Sequence, residues 1–115
     1  MISINLNTAR FKLTIEGHAQ PEESDQYKEI CSAASALAQA MVYAVTRYRE
    51  GTLLKELDYR PDSGDLMVHM FPEAGDGMEI RRIWELYGYG MELLALSHQQ
   101  SVTMIRDGKR IREDE

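Results

Sequence analysis

Apolar and polar residues alternate at the start of the chain. Ile2, Ile4 and Leu6 are separated by Ser3 and Asn5, and Phe11, Leu13 and Ile15 by Lys12 and Thr14. A repeat of two is the mark of a strand with one face buried and the other in water, so two strands are expected, joined by a short turn through Asn7-Thr8-Ala9. The second strand ends at Gly17-His18-Ala19. A polar, acidic stretch follows, Pro21-Glu22-Glu23-Ser24-Asp25-Gln26. Proline removes a ladder donor and the charges need water, which makes this stretch a loop. From Ile30 the spacing changes. Ile30, Ala34, Leu37, Met41, Val45 and Tyr48 recur at steps of three and four, the spacing of one helix face. The helix is expected to end near Arg49-Glu50-Gly51, where Gly51 suits a C-terminal cap and Arg47 and Arg49 complement the negative helix end. Ser24, Asp25 and Ser32 each suit an N-terminus, which leaves its start open by up to a turn before Cys31.

The second half repeats the scheme. Leu53, Leu54, Leu57 and Tyr59 lead into the turn Arg60-Pro61-Asp62-Ser63-Gly64-Asp65, after which Leu66, Val68 and Met70 alternate with Met67, His69 and Phe71. That is a second hairpin. Pro72 to Gly77 breaks the pattern, and Ile80, Trp84, Tyr87, Met91, Leu94 and His98 then repeat at helical spacing. Gly88 and Gly90 fall inside this second long helix, each costing about 1 kcal/mol against alanine, so a neighbour approaches closely there or the helix bends. Val102, Met104 and Ile105 make a last strand, and the charged tail from Lys109 to Glu115 is expected to fray. The order is ββαββαβ. It reads as an α+β fold, a small mixed sheet with two long helices burying their apolar stripes on one face, as a single domain over residues 1–115.

Composition narrows the function. The chain is 43% hydrophobic and 28% charged, and no apolar run approaches the ~18 residues of a membrane span. The first residues lack the basic start and long apolar core of a signal peptide. A single cysteine rules out an internal disulfide, so a cytoplasmic home is expected. Nineteen acidic residues against 13 basic ones give a net charge of −6, which argues against a direct nucleic-acid partner. The one cysteine and three histidines have no short-spaced pairing of the kind zinc sites use, and Gly75-Asp76-Gly77 lacks the downstream lysine of a phosphate loop. Neither metal nor cofactor is expected.

The chemistry concentrates at Cys31 and His18. Cys31 stands thirteen residues after His18, at the opening of a helix-like run. A thiolate attacks carbonyls, the positive end of a helix favours the thiolate, and a histidine within reach completes its activation. The alternative for a lone cysteine is a small hydrophobe in the core. Ser35, one turn further on, either hydrogen-bonds near the site or bonds back to its own helix. His69 belongs to a strand face turned to solvent, and His98 to the structural end of the second helix. Tyr87-Gly88-Tyr89-Gly90-Met91 fits either a two-fold interface or packing against the chain's own sheet.

Ile15-Glu16-Gly17-His18-Ala19, a short polar loop, and Ile30-Cys31-Ser32-Ala33-Ala34-Ser35-Ala36-Leu37 together resemble the ribosomal-processing cysteine protease family of Firmicutes and relatives, and length and element order agree along nearly the whole chain. The resemblance implies a homodimeric cysteine endopeptidase without a cofactor. Its substrate would be a polypeptide, the N-terminal extension of a ribosomal or phage structural protein. Cys31 would be the nucleophile and His18 the general base, with Gly17, Ser32 and Ser35 in support and the backbone amides of Cys31 or Ser32 facing the oxyanion. One stretch departs from the family. Its glycine-rich loop runs into Gly-x-Asp-Ile-Val-Cys, whereas this chain reads Gln26-Tyr27-Lys28-Glu29-Ile30-Cys31, with lysine in place of the acid and Glu29 beside it. The alternative function is a catalytically silent module of the same fold that binds a peptide or a ribosomal partner.

Overall fold

The computed structural model describes residues 1–112. Three antiparallel strand pairs form one mixed sheet. The strands are β1 (Ile2–Asn7), β2 (Lys12–Gly17), β3 (Leu54–Asp62), β4 (Asp65–Pro72), β5 (Val102–Arg106) and β6 (Lys109–Arg110), and the helices are α1 (Tyr27–Arg47) and α2 (Gly77–Ser97). The sheet order is β3-β4-β2-β1-β5-β6, antiparallel throughout except for β1 beside β5. The expected α+β architecture and element order hold, with β6 added at one edge.

The alternation along each strand sorts its side chains. Ile2, Ile4, Leu6, Leu13, Ile15, Leu66, Val68, Met70, Val102 and Met104 are buried under the helices, which contribute Ile30, Ala34, Ala38, Met41 and Val45 from α1 and Ile80, Trp84, Met91 and Ala95 from α2. Trp84 lies at the centre. Its indole N–H donates to Met70 Sδ at 3.1 Å, and Phe11 meets its ring edge-on at 5.8 Å. The glycines of α2 face their own chain. A side chain at Gly88 would come within 2.9 Å of Leu6 and Arg106, and one at Gly90 within 2.9 Å of Leu37. At Gly88 the close neighbours are a core leucine and the Arg106 guanidinium, whereas at Gly90 only the end of Leu37 comes near, and both contacts are within the chain.

Several expected boundaries move. Phe11 stands outside β2 with φ +52, its ring turned into the core and its carbonyl accepting the Met70 N–H at 2.9 Å. Helix α1 stops at Arg47, because Arg49 and Glu50 take left-handed angles in the short 3₁₀ turn Tyr48–Gly51. The turn expected over Arg60–Asp65 shrinks to Ser63-Gly64, and Pro61 lies within β3 opposite Leu66. This is tolerated because β3 is an edge strand. The tail expected to fray from Lys109 instead pairs through Lys109 and Arg110 with β5, and the Ile111 N–H donates to Met104 O at 2.9 Å. Positions 113–115 of that tail lie outside the described residues.

Candidate active site

Gly17 ends β2 with φ +88, and any side chain there would strike the Met1 carbonyl oxygen at 2.3 Å. Only glycine fits this exit from the strand. The Gly17 N–H donates to Gly64 O at 2.9 Å, tying the end of β2 to the tip of the β3–β4 hairpin. The chain then delivers an exposed His18 and a buried Ala19.

The following loop is clasped by one carboxylate. Glu23 Oε1 accepts from the Met1 amino group at 2.9 Å and from the Gln20 N–H at 2.7 Å, while the Met1 amino group also donates to the His18 carbonyl. The hydrogen bond from the Met1 amino group, followed by that from the Gln20 backbone, holds the Glu23 carboxyl below the usual carboxylate range. The carbonyl of His18 and the amide of Gln20 are thus both anchored, which fixes the backbone on either side of Ala19.

Cys31 approaches from the other direction. It is half-buried in the second turn of α1, and its sulfur accepts the Ala19 N–H at 3.3 Å. His18, Cys31, Gly17 and Ser35 line one cleft of about 60 Å³, closed on the far side by Asp62, Ser63 and Gly64 of the β3–β4 hairpin. The structure therefore brings together four of the residues singled out in the sequence. Ser32 is exposed and does not line the cleft.

The expected oxyanion amides need correction. Helix α1 starts at Tyr27, and the Ile30 N–H already donates to Gln26 O at 3.0 Å, one residue before Cys31. The amides of Cys31 and Ser32 fall within the helical ladder, and the free ones lie a turn earlier. The departure at Lys28 and Glu29 also lies off the cleft. The Lys28 ammonium rests 5.8 Å from the centre of the Tyr27 ring, and Glu29 lines a separate hollow with Ala33, Leu94 and His98.

The other histidines stand apart from Cys31. His69 is half-buried on β4, its ring 4.2 Å from that of Phe71 and tilted 37° to it, and His98 caps α2 with its N–H donating to Leu94 O. The hairpin wall of Asp62, Ser63 and Gly64 was missing from the sequence reading. Its turn chemistry was visible, but only the strand order β3-β4-β2 carries that turn to the histidine.

A six-stranded mixed sheet under two helices is an architecture already present among solved structures. The chain has the fold of the ribosomal processing protease Prp of S. aureus. It matches Prp in complex with a substrate peptide with a TM-score of 0.69 at 13% identity, covering 92% of this chain and 99% of that one. It matches Prp with a covalently linked product peptide with a TM-score of 0.68 at 14% identity and the same coverages. SMU.848 from Streptococcus mutans matches with a TM-score of 0.64 at 18% identity, over 91% of this chain and 90% of that one. No protein-family model and no curated protein matches in sequence. At these identities the likeness establishes the fold. Among the described residues, no helix is long and apolar enough to cross a membrane.

Proposed function

We propose that this protein is a cytoplasmic cysteine endopeptidase that removes the N-terminal extension of a ribosomal or phage structural protein, with Cys31 as nucleophile and His18 as general base. The observation that carries the reading is the meeting of His18, from the end of β2, with the chain's single cysteine, from α1, in one cleft. The S. aureus protein of the same fold is described with a substrate peptide and with a covalently linked product peptide, which supports a polypeptide substrate and a covalent step.

In this mechanism His18 takes the thiol proton as Cys31 Sγ attacks the scissile carbonyl carbon. The tetrahedral intermediate collapses when His18 returns that proton to the leaving amine, leaving a thioester on Cys31. Water, losing a proton to His18, then releases the carboxylic acid and restores the thiol. The Ala19 N–H fixes the sulfur at the cleft, and Ser35 adds a hydroxyl one helical turn away.

Homodimerisation belongs to the same reading. Leu86, Tyr89 and Leu93 lie exposed at steps of three and four on α2, a stripe suited to a second copy. Sedimentation of the protein and of Leu93→Arg tests it, with a dimer expected for the first and a monomer for the second.

The deciding experiment incubates the protein, Cys31→Ala and His18→Ala with N-terminal peptides of ribosomal and phage structural proteins, and reads cleavage by mass spectrometry. Loss of cleavage in both folded variants is expected. Undiminished cleavage by either overturns the dyad, and binding without cleavage by the unmodified protein returns the silent binding module.

A further inference from the structure

We propose that Gly64 is a positioning residue for His18, the space left by its missing side chain being the space that the imidazole occupies. This rests on the reading of His18 as the base. A Cβ built on Gly64 would lie 2.3 Å from His18 Nε2, 2.9 Å from Cε1 and 3.1 Å from Cδ2. Three atoms of one ring meet that single carbon, so the hairpin tip and the Nε2 end of the ring are in contact with no room for a methyl group.

Backbone conformation alone does not account for the contact. Gly64 has φ +78, but Gly75 and Gly108 have φ +87 and +82 with nothing within 4 Å of the corresponding Cβ. At those turns glycine serves the dihedral angle, and at Gly64 it serves the angle and the ring together.

What yields when the space is filled also follows from the contacts. The hairpin tip is held to β2 by the Gly17 N–H on Gly64 O, and the His18 backbone is held through its carbonyl by the Met1 amino group. The exposed His18 side chain is the unfastened part, and it swings away from the cleft. Cys31 keeps its Ala19 N–H contact and stays in place. A methyl group at position 64 therefore displaces the base while sparing the nucleophile.

The test uses Gly64→Ala, Gly64→Asn and Gly75→Ala in the full chain. Asparagine tolerates the left-handed region and keeps the variant foldable where alanine is too strained. Gly75→Ala carries the backbone strain without the contact. The expected result is that both position-64 variants shift the His18 ring resonances in ¹H–¹³C spectra and give Cys31 an alkylation pH profile like that of His18→Ala, while Gly75→Ala leaves both readouts unchanged. Peptide cleavage is expected to fall in kcat by about 100-fold or more, the scale of a lost general base, with KM little altered. Unshifted His18 resonances in either folded position-64 variant overturn the proposal. The resonances need no turnover, so they decide the role of Gly64 even where no peptide is cleaved. Normal cleavage by those variants sinks the positioning role and leaves the protease reading standing.

Discussion

The backbone N–H of Ala19 points at Cys31 Sγ, 3.3 Å away, so the loop after β2 and the second turn of α1 meet at a sulfur. Ala19 is only 3% exposed. A larger side chain there has no vacant volume to enter. Ala19→Leu is expected to destabilise the fold by about 1–3 kcal/mol through overpacking and to change the rate of Cys31 alkylation. Urea unfolding and thiol labelling check the two effects, and unchanged values in both would show that the loop does not need this packing.

Gly88 and Gly90, inside α2, make opposite predictions. Gly88 is buried, and an added methyl meets Leu6, itself fully buried, and an Arg106 guanidinium already held by Glu92 and lying 4.8 Å over the Tyr89 ring. Crowding outweighs the gain in helix propensity, and Gly88→Ala is expected to lose about 1–3 kcal/mol. A methyl on Gly90 meets only the end of Leu37, a half-buried side chain beside the open groove between the helices. Leu37 can turn aside there. Gly90→Ala is expected to gain up to about 1 kcal/mol from helix propensity. Denaturation of the two variants side by side decides it.

Acid is expected to loosen the loop after His18. The Glu23 carboxyl is held below its ordinary range, chiefly by the Met1 amino group. A depressed folded value means that the stabilisation is present above the unfolded carboxyl's titration and is lost as pH falls through the folded one. The Gln20 amide should therefore stay protected from hydrogen exchange near neutrality, after allowance for the intrinsic rate, and lose protection in acid. Glu23→Gln should abolish that dependence. Protection independent of pH in the unmodified protein would refute the clasp.

An acid at position 28, three residues before Cys31, should matter little. Lys28 is exposed and does not line the cleft with His18 and Cys31. Lys28→Asp is expected to change kcat/KM by no more than about twofold, the span of an ordinary surface substitution of 0.5 kcal/mol. A change of tenfold or more would mean that this position acts on the site.

The elements were legible where one pattern serves one purpose. Alternation in Ile2 to Leu6 and Leu66 to Phe71 reports a strand with one buried face, and both strands stand where that pattern places them. Phe11 shows where the pattern fails. Its apolar character continues the alternation of β2, yet its backbone turns to φ +52 before the strand begins, and its ring is buried against Trp84. Pro61 shows the converse, since proline signals a turn but an edge strand also has room for it. His18 and Cys31 were visible because they are rare residue types at the ends of recognisable elements. Gly64 was not, because no local signal in the chain states that β4 lies beside β2.

The central place of β1 also sets the order in which the chain can fold. Its neighbours are β2, available at once, and β5, whose residues Val102 to Arg106 pair with Ile2 to Leu6 from the far end of the chain. Thr103 Oγ1 reaches Ser3 Oγ across one hundred positions. Contacts of such separation are slow to form, because the loop must close before they stabilise anything. During synthesis one flank of β1 stays unpaired until β5, about a hundred residues further on, has been made. The sheet that carries the cleft therefore gains its β5 edge only after residues 102–106 exist, although His18 and Cys31 both precede β3 in the chain.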